Sequence, residues 1–520
     1  MAIDQTSWKK DLVLIAKNTL VWLYQLSQKY ERPINRIDEI PLEELRELRD
    51  FGITGLWLIG IWERSPASRK IKELYGRTGT IASAYSILEY EIAENLGGPQ
   101  ALEKLKRDAH KCGVMIGCDI VPNHTGLDAQ WLVDHPEWYI QADENPYSYW
   151  TFDTPDLSRD ARVTIQLEEG YYKQIGAAEV FRYTNNQTGK ISYIYHGNDG
   201  TSMPWNDTAQ LNYLLPEVRE AVRKTILNTA RRFDIIRLDA AMTLTRQHYK
   251  RLWFPTLDGS QHIPTRENYE MPQEQYDARM PNEFWREVIQ DVEAKAPHTL
   301  LIAEAFWLME GYFIQNLGMH RVYNSAFMNM LRNEDNAKYR LVIKNTLEFD
   351  PQILKRYVNF MNNPDEKTAV DQFGKGDKYF GICTLMATMP GLPMFGHGQI
   401  EGFSEKYGME YFRPYWDEEP DTYLVQRHQQ DIFPLLKRRE LFSGVENFLL
   451  YDFLAGDSVN EDVFAYSNGN LGEFSLVIYH NRYGSTNGWI KNSASYLNKN
   501  TDNLENKTSV SYTHLTLPTN

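Results

Sequence analysis

The stretch PEVREAVRKTILNTARRFDIIRLDAA, residues 216–241, decides the fold. Its first part reads as an amphipathic helix. Its last part is a short apolar strand that ends in Arg237, Leu238 and Asp239. The same unit recurs in both directions. Toward the N-terminus, PLEELRELRDFG leads into ITGLWLIGI (residues 53–61), and GGPQALEKLKRDAHKCG leads into VMIGCDIVPN (residues 114–123). Toward the C-terminus, NEFWREVIQDVEAKAP leads into TLLIAEAF (residues 299–306), and HRVYNSAF, LKRYVNFM and GLPMFG follow between helical stretches. TLVWLYQL (residues 19–26) reads as the first strand of the series. Near-continuous apolar strands alternating with helices imply a parallel sheet covered by helices. Eight such strands favour an α/β fold closed into a (β/α)8 TIM barrel over an open doubly wound sheet.

Two segments interrupt the rhythm. Residues 124–204 carry turn signals (DENP, NNQTG, GNDG) and the strand-like KISYIYH, and read as a small domain inserted after strand three. Residues 243–281 read as a polar loop, and loops of that length are usually functional. After residue 442, NFLLYDFL, DVFAYS and FSLVIYHN are strands without intervening helices. The expected division is therefore a barrel at 1–123 and 205–442, an inserted domain at 124–204, and a truncated C-terminal all-β domain at 443–508. The final SVSYTHLTLPTN, residues 509–520, alternates like one more strand. It also resembles one reading frame of a common transposon-type sequencing adapter, so a non-native tail with few contacts to the barrel is expected there.

The composition narrows the function. A net charge of -15 disfavours non-specific binding to nucleic acid or anionic membrane. No apolar stretch reaches the ~18 residues a membrane span needs. The N-terminus lacks a secretory pattern, which points to a cytoplasmic location. Cys112, Cys118 and Cys383 form no C-x-x-C pair and read as small buried residues. The chain's 32 Tyr and 13 Trp supply flat faces suited to sugar rings as well as to cores.

Four segments put polar groups at the C-terminal ends of expected strands: DIVPNH (119–124), RLDAA (237–241), AEAFW (303–307) and MNNPDE (361–366). Active sites of TIM barrels lie at that face. One acid there would read as a cap or an ion-pair partner. Asp239, Glu304 and Asp365 on three strands, with Arg237 on the same face as Asp239, read as a catalytic set.

With these motifs in order, the chain resembles the α-amylase superfamily, glycoside hydrolase family thirteen. QLN (residues 210–212), Tyr85 in SAYSILEYEI, and PGLPMFGHGQIEG strengthen the likeness, which covers roughly residues 19–480. The resemblance implies a retaining glycosidase acting on α-glucosidic bonds of α-glucans or maltooligosaccharides. Asp239 would be the nucleophile, Glu304 the acid/base, and Asp365 the third acid gripping the sugar's secondary hydroxyls. Arg237, Tyr85 and His124 would bind substrate. Asp119 and Asn123 would support the site, with Ca2+ possible at the Asn123 position and no other cofactor required. This sequence departs from the family at Pro364, where a histidine is usual, and at Met242 and Thr243, where a Lys-His pair is usual. His397 would replace the lost donor, or would be a loop histidine bonded to backbone. Transglycosylation or maltosyl-type transfer, and a catalytically inactive carbohydrate-binding role, remain as alternatives.

Overall fold

The computed structural model describes residues 7–517 other than 202, 257–260 and 307, with the backbone alone for residues 7 and 509–517. Eight parallel strands close into a barrel in sequence order: β1 (Leu14–Asn18), β2 (Gly55–Ile59), β3 (Met115–Ile120), β4 (Ile235–Leu238), β5 (Leu300–Ala303), β6 (Arg321–Tyr323), β7 (Tyr357–Phe360) and β8 (Leu392–Phe395). Closure joins Leu14 to Met394 and Ile15 to Phe395. The barrel strands bury nearly every side chain on both faces, which is why they read as unbroken apolar runs.

The first strand is a correction to the sequence reading. Residues 19–26 belong to a helix, Thr19–Lys29, and β1 is the preceding LIAKN. Only Lys17, Asn18 and Thr19 part the two apolar runs, and all three are buried. The division is made by Asn18, whose side chain accepts from the Val21 N–H and caps the helix. Buried Thr19, Trp22, Leu23 and Leu26 recur at the helical spacing i, i+3, i+4, i+7.

Between β3 and β4 lies a four-stranded antiparallel sheet built from Gln141–Ala142, Val163–Gln166, Val180–Asn185 and Ile191–Tyr195. A two-stranded ladder, His124–Gly126 against Thr208–Gln210, fastens the root of this excursion. Residues 243–281 are more ordered than a polar loop. They include helices Arg246–Trp253 and Gln273–Arg279. The loop that follows β8 reaches across the barrel mouth to the loop that follows β2, where Ile81 N–H donates to Glu410 O and Ala84 N–H to Met409 O, both at 3.0 Å.

The C-terminal sheet is antiparallel, with β9 (Leu449–Ala455), β10 (Val463–Asn470), β11 (Glu473–His480), β12 (Thr486–Ser493) and β13 (Thr508–Leu517) in the order β11-β10-β9-β12-β13. The backbone of β13 pairs with β12 through Leu517. How far residues 509–520 pack against the barrel concerns side chains outside the described residues. No helix among the described residues is long and apolar enough to cross a membrane.

One buried side chain ties the sheet to the barrel. Arg340, on helix Asn336–Phe349, is fully buried. It donates to Glu461 Oε2 at 2.8 Å, to Tyr451 O at 3.1 Å and to Val463 O at 3.2 Å, and it pairs with Asp452. Removing it strands two backbone carbonyls, each a loss of about 1–3 kcal/mol. Arg340→Ala is therefore expected to lower the unfolding temperature and to expose residues 449–493 to proteolysis. Unchanged values in calorimetry and limited digestion would refute this.

Candidate active site

Arg237 sits at the centre of the C-terminal mouth of the barrel and is 1 % exposed. Strand register places it beside Asp119 of β3 and Ile302 of β5. Its Nη1 lies 3.2 Å from Asp119 Oδ1 and also pairs with Asp239. Its Nη2 lies 2.8 Å from Glu304 Oε2 and 3.8 Å from Asp365 Oδ2. The Glu304 contact is an ion pair without hydrogen-bond alignment. Nε donates to Tyr323 Oη at 3.2 Å. The rings of Trp57, Tyr85 and Tyr323 surround the guanidinium with centroids 5.3, 5.6 and 5.7 Å away. Burial opposes the positive charge, but Glu304, Tyr323, Tyr85 and Asp239 more than offset it, so the Arg237 pKa is held above the ordinary arginine range.

The turn after Asp239 is unusual. Ala240 has φ 44° and ψ 40°, a left-handed conformation that costs a non-glycine residue free energy. It turns the Ala240 N–H onto Glu304 Oε2 at 2.8 Å, and the next N–H onto Glu304 O at 3.1 Å. The backbone after one acid thus positions the other. Glu304 is buried, and desolvation raises its pKa well above the ordinary value. Arg237 opposes that rise, while Asp239 and Asp365 add to it. Burial thus favours the protonated form of Glu304. Asp119 is likewise pushed up to about 7 by burial, against the pull of Arg237. Its Oδ2 accepts from Trp57 Nε1 at 3.0 Å, which fixes it as a support beneath Arg237.

A cleft of ≈ 480 Å³ opens above these groups, lined in part by Tyr85, His124, Asp239, Glu304 and Asp365. The Tyr85 hydroxyl is buried and makes no hydrogen bond among the described residues. His124 Nε2 donates to Tyr85 O at 3.2 Å, and its ring leans on Trp205 at 5.1 Å. Burial lowers its pKa, so the ring is neutral. Asp365 is the exposed acid, with its backbone carbonyl held by Lys406 Nζ. Met242 and Phe306 add apolar wall near Glu304.

Two expectations meet different geometry. His397 is not a donor to the reacting centre. Its Nδ1 accepts from Asn18 N–H at 3.1 Å, and its Nε2 donates to Gln25 Oε1 at 2.7 Å. Both ring nitrogens are spent on joining β8 to β1 and the helix after it, so the loop-histidine alternative describes it. The Asn123 side chain is engaged by its neighbours. Its amide oxygen accepts from Gln210 Nε2 at 2.9 Å and from Thr243 at 3.4 Å, and its amide nitrogen donates to Gln210 Oε1 at 2.9 Å. Among the described residues, no group of three or more His, Cys, Asp or Glu side chains is placed to hold a metal ion.

Sequence reasoning missed Trp57, Trp205, Tyr323 and Glu366. Tyr323 ends β6, and strand position alone would have flagged it. Trp57 was legible as strand but not as the partner of Asp119. Trp307, quoted in AEAFW, lies outside the described residues.

The catalytic-domain model of the alpha-amylase family matches residues 42–431. The chain belongs to that family, glycoside hydrolase family thirteen. It is 24 % identical over 384 residues to Maltase A1 of Drosophila melanogaster, covering 70 % of this chain and 61 % of that protein. It is 22 % identical to Alpha-amylase 3 of Dictyoglomus thermophilum over 384 residues, covering 72 % and 61 %. The chain thus spans about 61 % of the length of the curated relatives it matches first. Among solved structures, the maltogenic alpha-amylase AmyB from Thermotoga neapolitana superposes with a TM-score of 0.60 at 15 % identity, covering 98 % of this chain and 97 % of that one. The Nostoc punctiforme debranching enzyme gives 0.61 at 14 %, covering 99 % and 98 %. These likenesses bear on the fold.

Since the Asp365 charge helps to raise the Glu304 pKa, Asp365→Asn is expected to lower the pH at which Glu304 ionises. An infrared difference titration against Glu304→Gln reads that carboxyl directly. A midpoint that stays or rises would contradict the electrostatics described.

Proposed function

We propose that the chain is a retaining glycosidase acting on α-glucosidic bonds of α-glucans or maltooligosaccharides. The observation that carries this reading is the placement of Asp239 and Glu304 on the two terminal nitrogens of one buried guanidinium. That bridge favours the short carboxyl separation of retaining enzymes, roughly 5–5.5 Å, over the ~6.5–9.5 Å of inverting ones. Asp239, paired with Arg237, attacks the anomeric carbon. Glu304, kept protonated by burial, gives its proton to the leaving oxygen and then takes one from the acceptor. Asp365 holds secondary hydroxyls of the reacting ring, and Tyr85 and His124 wall its other side. A binding protein has no use for this pair, or for the strained Ala240 that positions Glu304.

The acceptor follows from charge. Asp199, Asp207, Asp239, Glu304, Asp365 and Glu366 all line the cleft. The nearby cations are committed, Arg237 to its acids and Lys72 to Asp207 at 3.6 Å. Such a site disfavours phosphate and suits water or a neutral sugar. The apolar faces of Met242 and Phe306 near Glu304 favour a sugar as a competing acceptor, so transglycosylation is the second reading.

Asp239→Asn is expected to cost on the order of several kcal/mol of transition-state stabilisation while leaving folding unchanged. Anomer-resolved NMR on maltooligosaccharides is expected to show α-products first from the unaltered protein. Free sugar marks hydrolysis and lengthened chains mark transfer. β-Anomers first, or near-normal turnover by the variant, would overturn the mechanism.

A further inference from the structure

A second, smaller pocket adjoins the cleft behind Asp365. It has room for about 40 Å³, enough for a few hydroxyl groups but not for a whole sugar ring. It is lined by Ala16 within β1, Ile59 at the end of β2 and Gly396 just past β8. Asn362 and Asn363 also line it, 6 % and 3 % exposed. Asn363 Oδ1 accepts from the Asp365 N–H at 2.9 Å, which fixes that amide in place. Among the described residues its Nδ2 has no partner, and neither has Asn362 Oδ1. A buried donor and a buried acceptor left open side by side are costly unless a ligand or water completes them.

Glu366 is the residue common to the cleft and this pocket. The other acids of the cleft have partners. Asp199 accepts from the Thr201 N–H, Asp207 from Ser68, and Asp239, Glu304 and Asp365 face Arg237. The Glu366 carboxylate makes no hydrogen bond or ion pair among the described residues. Its backbone N–H donates to Asn363 O at 3.1 Å, so the turn that seats the amide also aims Glu366.

We propose that this pocket is a further sugar subsite, and that Glu366 is its specificity-determining residue. It takes the hydroxyl edge of the terminal sugar unit on the Asp365 side of the scissile bond. A hydroxyl is at once donor and acceptor, so one can donate to Glu366 while accepting from Asn363 Nδ2, and a second can donate to Asn362 Oδ1. The subsite rests on the glycosidase reading above and adds to it a choice among sugars by hydroxyl position.

The test compares the unaltered protein with Glu366→Ala and Glu366→Gln on maltotriose. The same series is run on maltotrioses deoxygenated singly at C2, C3, C4 or C6 of the non-reducing unit. Glu366→Ala is expected to lose on the order of 10–100-fold in kcat/KM on maltotriose, mostly through KM, as for a hydrogen bond to a charged group. Glu366→Gln is expected to lose less. The loss is expected to shrink below about twofold on at least one deoxygenated substrate, because the contact is already missing there. Unfolding temperatures report whether the variants fold. Equal losses on all five substrates, or no loss on maltotriose, overturn the subsite while leaving the glycosidase intact. No turnover of any of them by the unaltered protein overturns the glycosidase reading, and the subsite with it.

Discussion

A single buried cation organises this active site. Arg237 lies under the barrel mouth with Asp119, Asp239, Glu304 and Asp365 around it and aromatic rings on its remaining sides. Four carboxylates this close could not all stay charged without it. With it, the proton demand falls on the buried acids, Glu304 above all. The retaining mechanism proposed above uses that division, with one acid as proton donor and its neighbour as an anion. A lysine could not replace the guanidinium here, since a point charge cannot reach several carboxylates from separate nitrogens.

Much of this was legible in the sequence. Asp119, Arg237 and Glu304 come at or next to the ends of apolar runs, and Asp365 follows one in the turn after β7. What was lost was lost for physical reasons. β1 merged with the helix after it, because burial makes both apolar and only the Asn18 side chain marks the change. His397 sat at the right end of β8 to suggest a site residue. Its partners, Asn18 and Gln25, lie more than 370 positions away, and no local pattern carries such a pairing. Glu366 was quoted within its motif but had no role, because what sets it apart is the partner it lacks. A missing partner is visible only once the other acids of the cleft have found theirs.

The site also shows where the fold accepts strain. Ala240 is left-handed immediately after Asp239, and the Glu304 carboxylate receives the N–H this exposes. A glycine there would relieve the backbone but widen the range of turns. The methyl group narrows the turn to one that serves the neighbouring acid, at a modest cost that the surrounding packed strands absorb.

The contact between the loops after β2 and β8 bears on how the protein comes into being. Residues 81–84 meet residues 409–410, and Asn18 meets His397, so the wall beside Tyr85 is made from chain ends far apart in time of synthesis. A ribosome must deliver the chain as far as residue 410 before that wall can assemble. Ordering so distant a pair is entropically slow. Asp119, Asp239, Glu304 and Asp365 are therefore all synthesised before the wall that encloses them can form. Enzymatic competence arrives late and abruptly, with closure of the barrel rather than with the appearance of any one catalytic residue.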